Sequence, residues 1–129
     1  MYTSYYTGYF NTVGLPTYFH PVSISVSMPK VYNNCVEMIY KPLIPQWSMV
    51  KDFREKRLSE TTYRERYFSL LDFRDLTPAK VSADLGDCAV LLCWENPKLF
   101  CHRHIVSKWM REAGFDCVEL DLSQYLILK

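Results

Sequence analysis

Residues 88–114, CAVLLCWENPKLFCHRHIVSKWMREAG, decide how this chain is expected to fold. The first seven residues are almost wholly apolar, which is typical of a short strand covered on both faces at the centre of an α/β sheet. The pair Asn96-Pro97 indicates a turn. After the turn, apolar residues recur at helical spacing as far as Gly114, a typical residue after a helix C-terminus. The stretch therefore predicts a strand, a short polar loop and a helix that begins near Cys101.

Three further strands are predicted, two before this stretch and one after it. Residues Tyr2–Tyr6 are rich in aromatic and β-branched side chains, which favour strands. Residues Val22–Met28 alternate between apolar residues and serines, which predicts a strand with one apolar face and one face of small hydroxyls. Residues Val118–Leu122 alternate between apolar and acidic residues and are expected near a sheet edge. The segments Asn11–Pro21 and Lys30–Gln46 contain prolines and are expected to be irregular.

Three more helices are predicted between these strands. The first starts near Trp47, where apolar residues take helical spacing. The second follows Ser59, a favoured N-cap residue, and runs to about residue 73. The third follows Thr77-Pro78, a cap residue with proline at the first helical position, and ends near Gly86.

A strand, a helix and a strand in succession favour parallel pairing through a right-handed crossover. We therefore predict an α/β fold: a single domain over residues 1–129 with a mostly parallel sheet flanked by helices. In open sheets of this kind, ligands bind beyond the carboxyl ends of the strands. The functional site is expected at that edge.

Composition and charge narrow the functional classes. Hydrophobic residues make up 49% and charged residues 22%, as in ordinary globular proteins. A net charge of +1 gives no global field that would draw the chain to nucleic acid or an acidic membrane, although a local basic patch could still bind nucleic acid. No apolar run approaches the roughly 20 residues that span a bilayer, and a signal-peptide pattern is missing. With five cysteines in no disulfide spacing, we expect a soluble cytoplasmic protein with reduced thiols.

The triplet Cys101, His102 and Arg103 falls at the start of the helix predicted in residues 88–114. Unpaired backbone N–H groups and the helix dipole favour an anion there, and Arg103 can clamp one with its guanidinium fork. The same field is expected to lower the pKa of Cys101 and to favour the thiolate. Cys101 and His102 are therefore candidate catalytic residues, and Arg103 is a candidate ligand-binding residue.

Four residues outside the triplet complete the candidate site. Glu95 leaves the end of the strand and can act as an acid or a base, or orient a ligand hydroxyl. Ser25 and Ser27, near the end of the predicted second strand, can donate hydrogen bonds to a ligand. Tyr6 can stack on a base or a sugar.

These residues also have structural interpretations. Cys93 lies in a strand that is expected to be buried, so core packing is favoured over a ligand role. Arg103 can brace the loop by pairing with a carboxylate such as Glu95. Because His102 and His104 lie two residues apart, at most one of them can join the site.

A zinc site is conceivable at the same loop. Its ligands would be Cys93, Cys101, His102 and His104. Their spacing matches none of the usual short-pair patterns. The chain also has no glycine-rich phosphate loop, no G-x-S-x-G elbow and no H-E-x-x-H motif. We therefore predict no metal and no cofactor.

The stretch LLCWENPKLFCHRHIVSKWM, residues 91–110, resembles the signature of the domain-of-unknown-function 488 family. In that signature a strand ending in Cys and Glu precedes a Cys-His-Arg triplet that opens a helix. The resemblance extends to YTSYYTGYF (2–10), VSISVSMPK (22–30) and residues 41–72. It breaks at Ser25-Val26-Ser27, where many members have Asp-Val-Arg. The resemblance implies an α/β fold and a site around the triplet, but no settled activity.

Two functions fit such a site. The first is a small enzyme acting on a nucleotide-like or other phosphorylated, anionic substrate, with Cys101 as nucleophile or stabilising thiolate and with Glu95 and His102 as acid–base candidates. The second is a non-catalytic module that binds an anionic ligand or a nucleic-acid end, and in both cases a small anionic ligand or nucleotide is the expected partner. In a third, purely structural interpretation, Arg103 serves stability alone.

Overall fold

The computed structural model describes residues 1–5, 18–27, 36–93 and 99–120. Within these ranges one sheet contains five strands, β1 (Tyr2–Tyr5), β2 (His20–Ser23), β3 (Met38–Ile39), β4 (Ala89–Cys93) and β5 (Val118–Glu119). All of its strand pairs are parallel, and the order across the sheet is β3-β2-β4-β1-β5. The flanking helices are α1 (Trp47–Arg54), α2 (Glu60–Phe73), α3 (Pro78–Leu85) and α4 (His102–Glu112). The predicted α/β fold with a parallel sheet is confirmed.

The apolar strand β4 occupies the centre of the sheet. All five of its residues are buried, and it pairs with β1 on one side and with β2 on the other. Tyr5 aligns with Cys93, and Ser23 aligns with Leu92. The three strands therefore end at the same edge of the sheet, which we call the carboxyl edge.

Local signals define the helices as predicted. The Ser59 side chain accepts a hydrogen bond from the N–H of Thr62 at the start of α2, and Thr77 accepts one from the N–H of Lys80 at the start of α3. Helix α3 ends at Gly86, whose φ of 78° is the left-handed conformation that glycine adopts without strain. Because such caps involve only a few consecutive residues, the sequence predicts them well.

The predicted second strand, Val22–Met28, is wrong at both ends. Strand β2 starts two residues earlier and includes Pro21, which we expected in a loop, and it ends at Ser23. Proline fits here because it removes only one N–H from the ladder, and the Pro21 carbonyl still accepts a hydrogen bond from the N–H of Glu37.

The alternation in this segment also fails to separate a buried face from a solvated one. Ser23 and Ser25 are buried as fully as Val22, and their Oγ atoms lie 3.2 Å apart. Both faces of β2 are covered, so the serine hydroxyls take hydrogen-bond partners inside the protein. Val26 follows the end of the strand and is exposed, and Met28 lies outside the described residues.

Both edge strands are only two residues long. Strand β3 falls within the segment 30–46, which was wrongly expected to be irregular, because two residues leave no periodic pattern. Strand β5 lies at an edge as predicted, but it pairs with β1. Val118 is exposed, whereas the partly buried Glu119 pairs with the buried Arg103. An ion pair, not hydropathy, therefore sets the orientation of β5.

The main core lies between the sheet and the helices. It contains apolar residues from both layers, among them Val22, Leu91, Tyr67, Leu71, Val106 and Met110. The hydroxyl of the buried Tyr67 donates a hydrogen bond to the Leu43 carbonyl over 2.6 Å. Over the described ranges, no helix combines the length and the apolar character that crossing a bilayer requires.

Candidate functional site

Three side chains with reactive groups meet at the carboxyl edge of the sheet. Cys93 is the last residue of β4, Cys101 is the N-cap residue of α4, and His102 is the first residue of that helix. The Nδ1 atom of His102 lies 3.6 Å from the Cys93 Sγ and 3.9 Å from the Cys101 Sγ. The three atoms all lie within 4.8 Å of one another, and each residue is only 4% exposed. We call this group the thiol–imidazole cluster.

The backbone after β2 determines which nitrogen of His102 faces the sulfurs. The Nε2 atom of His102 lies 2.7 Å from the carbonyl oxygen of Ile24. Because a carbonyl oxygen can only accept, Nε2 carries a hydrogen and donates it. The Nδ1 atom then presents either a lone pair or, in the imidazolium, a second N–H to the two cysteines. The ring of Tyr67 lies edge-on at 5.7 Å and packs against the imidazole.

The surroundings of Cys101 stabilise its thiolate. Burial raises the pKa of this thiol, but hydrogen bonds with Cys93 and His102 and the positive charges of His102 and Arg103 outweigh burial and hold the pKa well below its ordinary value. The pKa is thus shifted in the direction that the sequence predicted. The thiol and the imidazole are the principal causes, and Cys101 makes no side-chain cap hydrogen bond to α4.

A pocket opens onto the cluster through Cys93 and His102. Its other lining residues are Ser25, Val26, Ser27, Pro45, Trp47, Val50, Phe53, Arg54, Tyr63 and Phe100. The space that a water-sized sphere can occupy is about 40 Å³, against the roughly 10–15 Å³ that hold one water. The pocket therefore places solvent or a small chemical group directly against the cluster.

Aromatic rings form much of the pocket wall. Phe53, Tyr63 and Phe100 pack on one another, with ring centroids 4.7 to 5.6 Å apart. At the rim, the guanidinium of Arg54 lies 5.7 Å from the centre of the Trp47 ring. The pocket thus combines flat apolar surfaces with a positive charge at its mouth.

Arg103 points away from this pocket and into an ion pair. Its side chain is fully buried, its Nε lies 3.2 and 3.3 Å from the two carboxylate oxygens of Glu119, and its Nη2 lies 3.1 Å from Oε1. Thr3 donates a further hydrogen bond to the same carboxylate over 2.6 Å. Arg103 therefore braces β5 against α4 by pairing with the carboxylate of Glu119, whereas Glu95, the partner suggested by the sequence, lies outside the described residues. Its role toward a ligand stays a prediction.

The remaining candidates divide into two groups. Ser25 and Ser27 line the pocket beside Cys93 and His102, and the Ser25 hydroxyl donates to the Ser27 carbonyl over 2.6 Å. Glu95 and Tyr6 lie outside the described residues, so their roles stay predictions.

His104 lies apart from the cluster. It lines a separate depression with residues that include Arg64 and Trp109, and its buried Nε2 has no hydrogen-bond partner among the described residues. The expectation that at most one of the two histidines joins the site agrees with this arrangement.

Sequence reasoning gave too little weight to Cys93 and did not predict the pocket wall. Cys93 was interpreted as core packing, and it is buried, but its sulfur also faces His102. The wall comes from α1 and α2, where an apolar stripe also fits ordinary core packing. A usable signal was Arg54, which lies seven residues after Trp47 and so shares its helix face.

The arrangement supports two kinds of chemistry. A thiolate beside an imidazole is a nucleophile with an adjacent base or acid. Two thiolates and an imidazole nitrogen are also a ligand set that soft divalent metals prefer. Both uses need access to small molecules, which the pocket provides.

These features define a parallel α/β protein with a thiol–imidazole cluster at the carboxyl edge of its sheet. Residues 18–114, more than half of the chain, match the family DUF488-N3a, described as the active DUF488-N3 subclade. The chain belongs to this family. Neither the curated proteins nor the solved structures give a match.

Proposed function

We propose that this protein is an enzyme that acts on a nucleotide-like or other anionic, phosphorylated substrate, with the thiol–imidazole cluster as its reactive centre. The observation that carries the proposal is the position of the cluster at the inner end of a pocket with aromatic walls and a cationic rim. A buried thiol with a lowered pKa next to an imidazole is uncommon outside functional sites.

The pocket wall supports the choice of substrate class. Flat aromatic side chains such as Trp47 and Phe53 stack on nucleobases of any type. The guanidinium of Arg54 favours phosphate or carboxylate at the mouth of the pocket. A substrate with a flat ring and an anionic group matches both features.

The reacting part of the substrate would meet Cys93 and His102, which line the pocket. Cys101 lies behind them, within hydrogen-bonding reach of both, as a nucleophile or as a thiolate that stabilises charge. His102 and Glu95 remain the acid–base candidates. Ser25, which lines the pocket, would orient a polar group of the substrate through its hydroxyl.

The test starts from a panel of nucleotides and phosphorylated metabolites, screened for binding by ligand-observed NMR and for turnover by mass spectrometry. For a compound that is turned over, we expect Cys101→Ser to lose turnover while binding persists. Cys88→Ser is the matched control, since Cys88 lies at the opposite end of β4 and is only partly buried. We expect it to leave turnover unchanged.

Two other outcomes would contradict the enzyme. In the first, panel compounds bind and Arg54→Ala weakens their binding, but none of them is converted. The protein is then a non-catalytic anion-binding module. If Cys101→Ser and His102→Asn leave turnover intact, the reactive centre lies elsewhere.

A further inference from the structure

We propose that Cys93, Cys101 and His102 bind one zinc ion, with a fourth coordination position open to the pocket. This inference rests on the proposed function, because it names the metal ion with which the cluster would act on the substrate. It reverses the expectation from sequence spacing that the chain binds no metal.

The distances between the three donor atoms fit a single ion. Zinc lies about 2.3 Å from cysteine sulfur and about 2.0–2.1 Å from histidine nitrogen, so tetrahedral geometry places sulfur and nitrogen about 3.5 Å apart. The observed separations from His102 Nδ1 are 3.6 Å to Cys93 and 3.9 Å to Cys101. The two sulfurs lie at most 4.8 Å apart, against about 3.8 Å across one tetrahedral zinc ion, so movements of no more than about 1 Å bring all three atoms to bonding distance.

The orientation of His102 also fits a ligand. A metal-bound histidine usually donates its other ring N–H to a carboxylate or a backbone carbonyl, which fixes the ring. Here Nε2 donates to the Ile24 carbonyl over 2.7 Å, so that Nδ1 faces the two sulfurs. The imidazole is therefore already held in the tautomer that a metal at Nδ1 requires.

The donor atoms also suit a divalent ion in charge. Metal binding would convert both buried thiols to thiolates, which are costly to bury without a cation. A divalent ion neutralises both charges. Arg103 contributes less to such compensation because its guanidinium is engaged by Glu119. Sulfur and nitrogen donors in tetrahedral geometry select zinc over magnesium or calcium.

The pocket makes the fourth position accessible. Cys93 and His102 line a space of about 40 Å³, which exceeds the roughly 10–15 Å³ needed for one water. Three protein ligands and one exchangeable water are the arrangement of catalytic zinc sites, whereas structural sites use four protein ligands. With the ion bound, the substrate would meet a Lewis acid or a metal-bound water in place of a free thiol.

The sequence suggested this set together with His104, but its spacing gave no support because the members come from two elements. Cys93 ends β4, and the adjacent pair Cys101 and His102 starts α4. Short-pair zinc motifs place two ligands on one turn or hairpin. Only the folded sheet brings a strand end and a helix start together here.

The direct test is the metal content of the full-length protein, purified without chelators and measured by plasma mass spectrometry. We expect about one zinc per chain in the wild type and less than a tenth of that in Cys93→Ser. Cys88→Ser and Cys117→Ser, which change cysteines outside the cluster, should keep a full equivalent. A wild type with no zinc that also fails to take up added zinc would overturn the proposal, as would equal zinc content in all the variants.

A second measurement needs no substituted protein. The metal-free wild type is titrated with Co²⁺, and a thiolate-to-cobalt charge-transfer band with tetrahedral visible absorption is expected at one equivalent. Zinc should displace the cobalt and remove both bands. Octahedral cobalt spectra without a thiolate band contradict the site, and so does a disulfide between Cys93 and Cys101, identified by peptide mass spectrometry of the denatured, unreduced protein.

These readouts separate the metal site from the proposed function, because none of them uses a substrate. Bound zinc without turnover of any anionic compound would leave the metal site standing and the enzyme refuted. A protein that binds neither zinc nor cobalt at the cluster but turns over a panel compound would refute the metal site and leave the enzyme standing.

Discussion

One cysteine ends β4 and another stands immediately before its first residue, and their surroundings differ. At the carboxyl end, Cys93 is buried 3.6 Å from an imidazole and next to a pocket. At the other end, Cys88 is partly buried and lines an open depression beside Gly86 and Gly114, which follow the ends of α3 and α4.

Parallel strands joined by helices explain this difference. Helix α4 begins close to where β4 ends, so the carboxyl edge receives the start of a helix, and the opposite edge receives helix ends. Exposed N–H groups and positive helix termini favour anions and thiolates at the first edge only. Cys93 is therefore a functional candidate, and Cys88 is not, because of the edge of the sheet at which each one lies.

The largest expected effect comes from His102, with His104 as the comparison on the same helix. His102→Asn should lower turnover by about 10²–10⁴-fold, the range for loss of a group that moves a proton or positions the reacting atoms. It should also destabilise the protein by about 1–3 kcal/mol if the Ile24 carbonyl loses its donor. His104→Asn should change turnover less than twofold. Equal losses of turnover in steady-state assays of both variants would show that His102 has no special role relative to His104.

Substitution of Arg103 tests whether the ion pair beside the cluster serves the stability of the fold or the binding of a ligand. Arg103→Met leaves Glu119 without its partner in a largely buried place, so we expect a loss of about 3 kcal/mol in the free energy of unfolding. Adding Glu119→Gln should recover part of that loss in urea denaturation. Substrate binding by the folded fraction should be unchanged. A stable Arg103→Met variant with weakened binding would instead support the predicted ligand role.

A smaller effect is expected at the pocket rim, measured by calorimetry with adenosine monophosphate as the probe. Arg54→Ala should weaken binding about tenfold, near the lower limit for a hydrogen bond to a charged group, because the side chain is exposed. The control is Arg57→Ala, since that guanidinium pairs with Asp52 and Glu55 just beyond α1. Similar losses of affinity in both variants would indicate that general surface charge, and not a specific contact with Arg54, attracts the nucleotide.

The smallest effect is a pH dependence far from the cluster. Hydrogen bonds from Lys80 and Tyr40 hold the pKa of Asp84 below its usual value. A lowered pKa in the folded state adds stability that is present above the ordinary pKa and is lost as the pH falls through the lowered value. Asp84→Asn should therefore flatten the fall in melting temperature below about pH 4. Asp72→Asn, an exposed change on α2, should leave that slope intact.

The sequence predicted the fold wherever the signals were local. The caps at Ser59 and Thr77 and the apolar run of β4 need no knowledge of distant residues, and all three predictions are confirmed. It failed at β3, which is too short to show a period, and at β2, where both faces are buried.

For the site, sequence reasoning found the triplet but not its partners. Cys101 and His102 stand at the predicted helix start. Their proximity to Cys93, and the pairing of Arg103 with Glu119, depend on how the sheet assembles. Spacing along the chain carries no information on such contacts between elements.

The strand order has a consequence for how the molecule folds. Strand β1 lies between β4 and β5, and Thr3 bonds Glu119 across 116 positions of the chain. Because β1 is synthesised before β4 and β5, it must wait for both of its neighbours. Contacts of such long range slow folding. Until β5 emerges, the unpaired backbone edge of β1 needs protection from other chains, so this protein is expected to depend on chaperones during synthesis.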